Sequence, residues 1–427
     1  MSREMINLEE EVKRKERVII AALDRGSSSY TADILDEMER LVETAGGEVV
    51  ARITQKRKYP HPAYYFGKGK LKEIQRYAEV LDAQTLIVDG ELTASQVRNM
   101  ENITGLKVID RTQLILDIFA KHADTEEGKL QVELAQLEYN LPRLVGVGKE
   151  MSRLGGGIGT RGPGEKQLEV DRRRIRRRIS VIKRQLEDLA KDRELRRKQR
   201  SKKTKIVSLV GYTNAGKSTL LRRLSGDENI LVEDKLFATL SPTMRRVILP
   251  SGRTAIFSDT VGFIRRLPHT LIEAFKATLE EIKESDLIAI VIDSTDENYK
   301  DKLRVVRGVL KEIGADNIPE LLVFNKIDLL SEEDLSDLKR EYNDAVFISA
   351  KTGIGVDEFL STVDKKLFGE SVTVDILVPY NKLGILWSFK DKLEIEKLQS
   401  EETGERYRVS GLEEDIKLLL GRLGGGF

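Results

Sequence analysis

The 427-residue sequence predicts an α/β protein made of several domains. Three features lead to this prediction. Short β-branched runs alternate with helical patterns in the N-terminal part, two helical seams follow, and a strand, a glycine-rich loop and a helix succeed one another from Lys205. Alternating strands and helices are typical of parallel sheets. A chain of this length is expected to hold about two to four domains.

The N-terminal domain, residues 1–125, is predicted to be a small parallel α/β sheet. The predicted strands are 17–23, 47–53, 84–89 and 106–110, and the predicted helices are 31–43, 70–80, 93–100 and 111–120. The turn Gly67-Lys68-Gly69-Lys70 precedes a helix but lacks the full spacing of a phosphate-binding loop. We interpret it as a helix-entry turn, with a second nucleotide site as the alternative.

Composition and charge exclude several classes of protein. Lys and Arg number 72 and Asp and Glu number 71, so the total charge does not point to a partner. The absence of cysteine excludes disulfides, thiolate metal sites and thiol nucleophiles. No apolar run approaches the roughly 18 residues of a membrane helix, and the N-terminus lacks the apolar core of a signal peptide. We therefore expect a cytoplasmic, monomeric protein without an integral membrane segment.

Residues 126–201 are predicted to form an antiparallel helical hairpin. Two apolar seams repeat at alternating spacings of four and three residues, which places each seam on one helix face. The first seam is Leu130, Leu134, Leu137, Leu141 and Leu144, and the second is Ile175, Ile179, Ile182, Leu186 and Leu189. Pro142 is expected to end or kink the first helix.

The connection between the two seams is rich in glycine and basic residues. Such dense glycine costs folding entropy, and close approach of the backbone to RNA would explain it. From 172 to 205 the only acidic residues are Glu187, Asp188, Asp192 and Glu194 and all other charges are basic, which is typical of a nucleic-acid-binding surface. The alternative is a flexible tip with no partner. The candidate RNA-binding residues are Arg143, Lys149, Arg153, Gly155, Gly156, Gly157, Arg161 and Lys166.

A phosphate-binding loop is predicted between a strand at 205–210 and a helix that begins near Thr219. The segment matches G-x-x-x-x-G-K-[ST], in which backbone N–H groups and a helix N-terminus surround phosphate groups. Lys217 would contact the β- and γ-phosphates, and the Ser218 hydroxyl would bind Mg²⁺. The candidate nucleotide contacts are Gly211, Tyr212, Thr213, Asn214, Ala215, Gly216, Lys217, Ser218 and Thr219.

Three further motifs each follow a predicted strand, and the last two identify the base. They are Asp259-Thr260-Val261-Gly262, Asn325-Lys326-Ile327-Asp328 and Ser349-Ala350-Lys351. Asp259 can hold Mg²⁺ through water, and the Gly262 N–H can donate to the γ-phosphate. The Asp328 carboxylate can accept hydrogen bonds from guanine N1 and N2, a donor pair that adenine lacks, and the Ala350 N–H can donate to guanine O6. The sequence thus predicts a P-loop GTPase domain at 202–370 that binds GTP and GDP.

A switch segment is predicted between the loop and Asp259. It comprises Phe237, Ala238, Thr239, Leu240 and Ser241, and Thr239 would complete the Mg²⁺ shell. The candidate catalytic residues are therefore Lys217, Thr239 and Gly262, and the candidate metal ligands are Ser218 and Thr239. Ras-like enzymes orient the attacking water with a Gln after the Asp-x-x-Gly motif, whereas this chain has Phe263 and Ile264 there. Hydrolysis is expected to be slow without a partner, and Asn214 makes K⁺ a further candidate cofactor.

The chain as a whole resembles the HflX family of ribosome-associated GTPases. The resemblance rests on the long glycine-rich segment 153–167, on Leu236-Phe-Ala-Thr-Leu240 and on Asp259-Thr-Val-Gly-Phe-Ile264. It implies binding to the large ribosomal subunit, with the connection between the helices near the peptidyl-transferase centre, and splitting of stalled ribosomes. Ser241 and Met244 depart from the Asp and Thr that the family usually has there.

The remaining residues, 371–427, are predicted to form a small α+β domain. A strand at 372–378, a helical stretch at 379–390, two pairing strands at 393–397 and 407–410, and a closing helix at 412–423 are expected. Two functions are compatible with the whole sequence. The first is a GTPase that binds the large subunit and remodels or splits ribosomes. The alternative is a GTP-regulated RNA-binding switch or RNA chaperone without a ribosome target.

Overall fold

The computed structural model describes residues 15–26, 28–146, 163–198, 204–227, 236–237, 243–265, 271, 279–369, 371–390 and 392–424. The chain divides into two compact units. Unit 1 comprises Met1–Arg200, Leu231–Pro242 and Thr260–Glu281, and unit 2 comprises Ser201–Ile230, Thr243–Asp259 and Ile282–Phe427. The four-domain division expected from the sequence stays a prediction.

Unit 1 contains a four-stranded parallel sheet of order β2-β1-β3-β4. All four strands and all four helices expected in this region are confirmed. The strands are β1 (Arg17–Asp24), β2 (Glu48–Lys56), β3 (Thr85–Val88) and β4 (Lys107–Asp110), and the helices are α1 (Ser28–Ala45), α2 (Lys68–Leu81), α3 (Ala94–Thr104) and α4 (Arg111–His122). The central strands are buried on both faces, as in other parallel sheets covered by helices.

Local sequence signals account for where these helices begin. Thr93 caps α3 in a capping box with Gln96, and the Asp110 side chain caps α4 by accepting from the Gln113 N–H. Gly67 is the N-cap of α2, and its N–H donates to Gln55. Lys70 pairs with Glu73 at 2.8 Å. The glycine–lysine turn is therefore the helix entry that the sequence predicted.

Two long helices, α5 (Glu126–Asn140) and α6 (Pro163–Lys198), follow the sheet. The first ends before Pro142, as expected. Arg178 pairs with Glu133 at 2.6 Å and Lys183 pairs with Glu138 at 2.8 Å. The two ion pairs hold α5 and α6 side by side, and Ile182 of the second seam is 0% exposed. The two helices of the predicted hairpin are therefore packed against each other, as expected.

The carboxylate of Asp110 joins α5 to the sheet of unit 1. Asp110 is 1% exposed and accepts hydrogen bonds from the N–H groups of Leu92 and Gln113, from the Tyr139 hydroxyl at 2.7 Å and from the Arg143 guanidinium at 3.0 Å. Burial and the neighbouring Asp110 raise the pKa of Tyr139 well above its usual range, so its hydroxyl stays protonated and donates. Four donors thus satisfy one buried carboxylate, and the Arg143 guanidinium balances its charge.

Unit 2 contains a six-stranded sheet of order β10-β9-β8-β5-β7-β6, in which only β6 is antiparallel to its neighbour. The strands are β5 (Lys205–Gly211), β6 (Thr243–Ile248), β7 (Thr254–Asp259), β8 (Leu287–Asp293), β9 (Glu320–Asn325) and β10 (Val346–Phe347). The helices are α7 (Lys217–Ser225), α8 (Tyr299–Glu312), α9 (Glu332–Glu341) and α10 (Val356–Phe368). The carboxyl ends of parallel strands meet at one edge, where ligands of such sheets bind.

The C-terminal part of unit 2 is an antiparallel sheet covered by short helices, as expected. Its order is β11-β13-β12, and its apolar core includes Val378, Leu386 and Val409. The strands are β11 (Ser371–Pro379), β12 (Glu394–Glu401) and β13 (Gly404–Leu412), and the helices are α11 (Leu383–Trp387) and α12 (Glu413–Leu423). Among the helices in the described ranges, none is long and apolar enough to cross a membrane.

The Asp110 contacts predict a large stability effect. Asp110→Ala leaves the Arg143 charge, the Tyr139 hydroxyl and two N–H groups without their acceptor, so it should lower the free energy of unfolding by about 3–5 kcal/mol. Asp36→Ala is the matched control, because its pair with Arg52 is exposed and should contribute about 0–1 kcal/mol. Urea unfolding of both variants measures the difference. Equal destabilisation by the two substitutions would contradict the role of Asp110.

Candidate functional site

The phosphate-binding loop joins β5 to α7 at the carboxyl edge of the sheet. A Cβ at Gly211 would lie 2.3 Å from the Val291 carbonyl oxygen, so only glycine lets β5 pass β8 this closely. Gly216 has a φ of 93° and Asn214 a φ of 61°, both in the left-handed region. The Thr213 Oγ1 is buried and has no hydrogen-bond partner in the described part of the chain. The loop thus has the backbone of an anion nest and a hydroxyl available for a ligand.

Lys217 is the first residue of α7 and is buried in this loop. Its Nζ donates to the carbonyl oxygens of Tyr212 at 3.0 Å and Gly211 at 3.2 Å. Burial lowers the pKa of Lys217 to about 8, and the negative charge of Asp259 opposes part of this decrease. The ammonium is therefore held by weak acceptors, and phosphate oxygens would be stronger ones.

The Ser218 hydroxyl donates to Asp259 Oδ2 at 2.6 Å. Asp259 is the last residue of β7 and is 1% exposed. A hydroxyl beside a carboxylate at a phosphate-binding loop offers the hard oxygen ligands that Mg²⁺ prefers. The two side chains therefore fit a Mg²⁺ ion, held directly by Ser218 and through water by Asp259, which would supply positive charge to the phosphates.

The Asn325 side chain connects the phosphate loop to the third base motif. Its Nδ2 donates to the Ala215 carbonyl at 2.8 Å, and its Oδ1 accepts from the Ala350 N–H at 2.9 Å. A Cβ at Gly216 would lie 2.2 Å from this amide, so the second loop glycine is required by Asn325 as well as by its φ. This finding counts against the predicted hydrogen bond from the Ala350 N–H to guanine O6, because that N–H already donates to Asn325.

The remaining base-motif residues follow β9 and β10. Asp328 is exposed in the 3₁₀ turn Ile327–Leu329, where its carboxylate can reach a ligand, and Ile327 is buried beneath it. Lys326 has a φ of 68° and pairs with Asp293 at 2.6 Å. Ser349 is fully buried, and its Oγ accepts from the Thr352 N–H. The nucleotide motifs of unit 2 therefore come together at one edge of its sheet.

The sequence analysis missed Arg223, on the phosphate-loop helix α7. Its guanidinium donates to the carbonyl oxygens of Ala350 and Lys351. No sequence motif distinguishes this arginine from its neighbour Arg222, because both are exposed basic residues on the same helix. The orientation of α7 relative to the loop at 349–353 distinguishes them.

The switch segment at 237–241 and the residues that follow Asp259, from Thr260 to Arg265, belong to unit 1, where described residues of each stretch contact α1 or α4. The Phe237 ring meets the Phe119 ring edge-on at 4.6 Å, and the Leu236 N–H donates to Thr44 Oγ1 at 3.2 Å. The Arg111 guanidinium donates to the Arg265 carbonyl at 3.1 Å. Thr260, Val261, Phe263 and Ile264 are all buried.

Not every candidate switch residue can be placed. Ala238, Thr239, Leu240 and Ser241 lie outside the described residues. Phe237 has a φ of 59°, which is uncommon for an aromatic residue, and its side chain is 2% exposed. Its ring packs on Phe119, so a nucleotide contact by Phe237 would use its backbone. The assignments of Thr239 and Gly262 still rest on the sequence pattern.

Among the candidate RNA-binding residues, Arg143 is described with its side chain. It pairs with Asp110, donates to the Leu92 and Tyr139 carbonyls and lies over the Tyr139 ring. These contacts give Arg143 a structural role at the start of the glycine-rich segment. Lys166 belongs to the first turns of α6, and Lys149, Arg153, Gly155, Gly156, Gly157 and Arg161 lie outside the described residues.

Comparison with known proteins places the chain in a family. Family models described as GTP-binding GTPase N-terminal, GTP-binding GTPase Middle Region and 50S ribosome-binding GTPase match residues 32–120, 122–200 and 206–326. The GTPase HflX of Caldanaerobacter subterraneus subsp. tengcongensis is 52% identical, over 88% of this chain and 86% of the relative. The GTPase HflX of Lacrimispora saccharolytica is 47% identical, over 94% of each, and that of Escherichia coli K12 is 45% identical, over 87% of each. With the phosphate loop, Asp259 and the guanine motifs assembled on one sheet, the chain belongs to the HflX family of GTPases and is a guanine-nucleotide-binding GTP hydrolase.

Proposed function

We propose that this GTPase binds the large ribosomal subunit and couples GTP binding and hydrolysis to the remodelling or splitting of ribosomes, stalled ones included. The observation that carries the proposal is the exposed basic face of α6. Arg174, Arg177 and Arg184 are exposed, and their spacing places them on one side of the helix. None of them forms an ion pair with another described residue, so their charges are available to phosphates.

The match of residues 206–326 to a model described as a 50S ribosome-binding GTPase supports the same partner. The glycine-rich segment joins α5 to this basic helix, and we propose that it supplies the RNA contacts nearest the subunit. The alternative is a GTP-regulated RNA-binding switch or chaperone without a ribosome target. This alternative includes a possible second nucleotide site at the glycine–lysine turn of the N-terminal domain. That site is not favoured, because the Gly67 N–H and Lys70 already have protein partners.

Within the nucleotide site we propose distinct roles for the motif residues. Lys217 neutralises the β- and γ-phosphates, Ser218 and Thr239 hold Mg²⁺, and the Gly262 N–H donates to the γ-phosphate. Asp328 selects guanine. Tyr212, Thr219 and the other loop residues contribute backbone contacts, and K⁺ beside Asn214 would add positive charge there.

Hydrolysis is proposed to be slow until the partner is bound. Ras-like enzymes orient water with a Gln after Asp-x-x-Gly. Phe263 and Ile264 occupy this stretch, have no polar atoms in their side chains and are 1% and 0% exposed. Neither can orient a water molecule, so we propose that a ribosomal group completes the site.

The first prediction concerns the base. Asp328→Asn replaces a charged acceptor by a neutral amide, and the lost charge-assisted pair should weaken GTP binding by roughly ten- to hundred-fold. The variant should bind xanthosine triphosphate better than the wild type does, because the amide can donate to the oxygen at C2 of xanthine. Fluorescence titration with both nucleotides measures this. Unchanged GTP affinity would show that another group recognises guanine.

The second prediction concerns the protonation of Lys217 when nucleotide binds. The pKa of Lys217 is lowered to about 8 by burial, so above this pH the ammonium loses its proton. Nucleotide phosphates favour the charged form and should raise this pKa. Nucleotide binding should therefore take up roughly half a proton at pH 8 and less at pH 7, and affinity should fall as pH rises through 8. Calorimetry with GDP in buffers of different ionisation enthalpy counts the protons. Absence of uptake at pH 8 would contradict the assignment.

The third prediction tests the ribosomal partner. Large subunits should stimulate steady-state GTP hydrolysis by the wild type, and replacing the segment between Gly146 and Gly164 by glycine and serine should remove the stimulation. Basal hydrolysis should persist, because no nucleotide motif is changed. Equal length is kept so that the replacement changes the side chains of the segment and not its reach.

Two outcomes of this assay would count against the proposal. Equal stimulation of the wild type and the replacement variant would show that the segment does not carry the contact. No stimulation of the wild type would favour the RNA switch. Arg174→Gln, Arg177→Gln and Arg184→Gln in one chain provide an electrostatic test, because subunit binding should become less dependent on salt.

A further inference from the structure

Arg223 is positioned to orient the loop that follows β10. Its Nε donates to the Ala350 carbonyl at 3.2 Å, and one of its terminal nitrogens donates to the Lys351 carbonyl. The guanidinium therefore binds two consecutive carbonyl groups with its rigid fork of donors. Gly353 lies beside it, since a Cβ there would be 3.5 Å from Nη1.

The planar trans peptide determines what this contact does to the next N–H group. In one peptide unit the C=O and N–H bonds point in opposite directions. The Ala350 carbonyl and the Lys351 N–H belong to the same unit, so when Arg223 holds the carbonyl, the N–H points away from the guanidinium. The Lys351 N–H has no acceptor among the residues that the structure describes, whereas the Ala350 N–H donates to Asn325.

We propose that Arg223 is a positioning residue for guanine recognition, and that the Lys351 N–H is the donor to guanine O6. Arg223 does not touch the base in this proposal. It orients the Ala350–Lys351 peptide unit, while Asn325 holds the preceding N–H. The loop is thereby held from both sides, by the helix that begins at the phosphate loop and by the strand end that carries the guanine motif. The proposal depends on guanine binding and is independent of any ribosomal partner.

The test compares two nucleotides that differ at one atom. In 6-thio-GDP, sulfur replaces O6 and accepts hydrogen bonds weakly, while N1–H and the 2-amino group still face Asp328. Arg223→Ala should weaken GDP binding by roughly three- to ten-fold, the effect of one neutral hydrogen bond. It should weaken 6-thio-GDP binding by less than about two-fold, because that contact is already poor. Equal losses for both nucleotides would overturn the proposal, as would no loss with GDP.

Two further variants separate positioning from charge and from folding. Arg222→Ala is the matched control, because Arg222 is the neighbouring exposed arginine on α7 and should leave both affinities unchanged. Arg223→Lys keeps the charge but not the fork, so it should recover GDP binding only in part. Full recovery by lysine would mean that charge alone matters and would overturn the proposal.

Kinetics give an independent measurement. Base contacts are the same in the ground state and the transition state, so Arg223→Ala should raise the KM for GTP with little change in kcat. A fall in kcat at unchanged KM would place Arg223 in a different role. Thermal unfolding of the variant shows whether the comparison is made on folded protein.

Discussion

The nucleotide site depends on one buried amide. Asn325 donates to the phosphate loop and accepts from the loop after β10, so a single side chain sets the distance between the phosphate and base ends of the site. Because Asn325 is 2% exposed, its hydrogen bonds are made in a low-dielectric setting, where a lost partner is costly. An aspartate of the same shape would present an oxygen to the Ala215 carbonyl, so the amide cannot be replaced by its acid.

Much of the fold could be predicted from the sequence, because its signals are local. The β-branched runs, the capping residues Thr93 and Asp110, and the spacing of glycine and lysine in the phosphate loop each determine structure within a few residues. The nucleotide motifs could be expected to come together because each follows a strand of a parallel sheet, and such strands end at one edge.

The interactions that could not be predicted from the sequence join residues that lie far apart in the chain. The role of Arg223 depends on how α7 is oriented beside the loop at 349–353, which its neighbours in the chain do not reveal. Ala350 was assigned to guanine O6 from its motif alone, whereas its N–H is already used by Asn325.

The contact between α5 and α6 has a consequence for the order of folding. A helical hairpin with a short connection can form early, because its partners are close in sequence. The pair Glu133–Arg178 instead joins residues 45 positions apart, and loop closure must precede such a contact. During synthesis α5 emerges first, and it can already bind the sheet through Tyr139 and Asp110. The N-terminal sheet with α5 would thus assemble as a platform, and α6 would add to it only after the glycine-rich segment had left the ribosome.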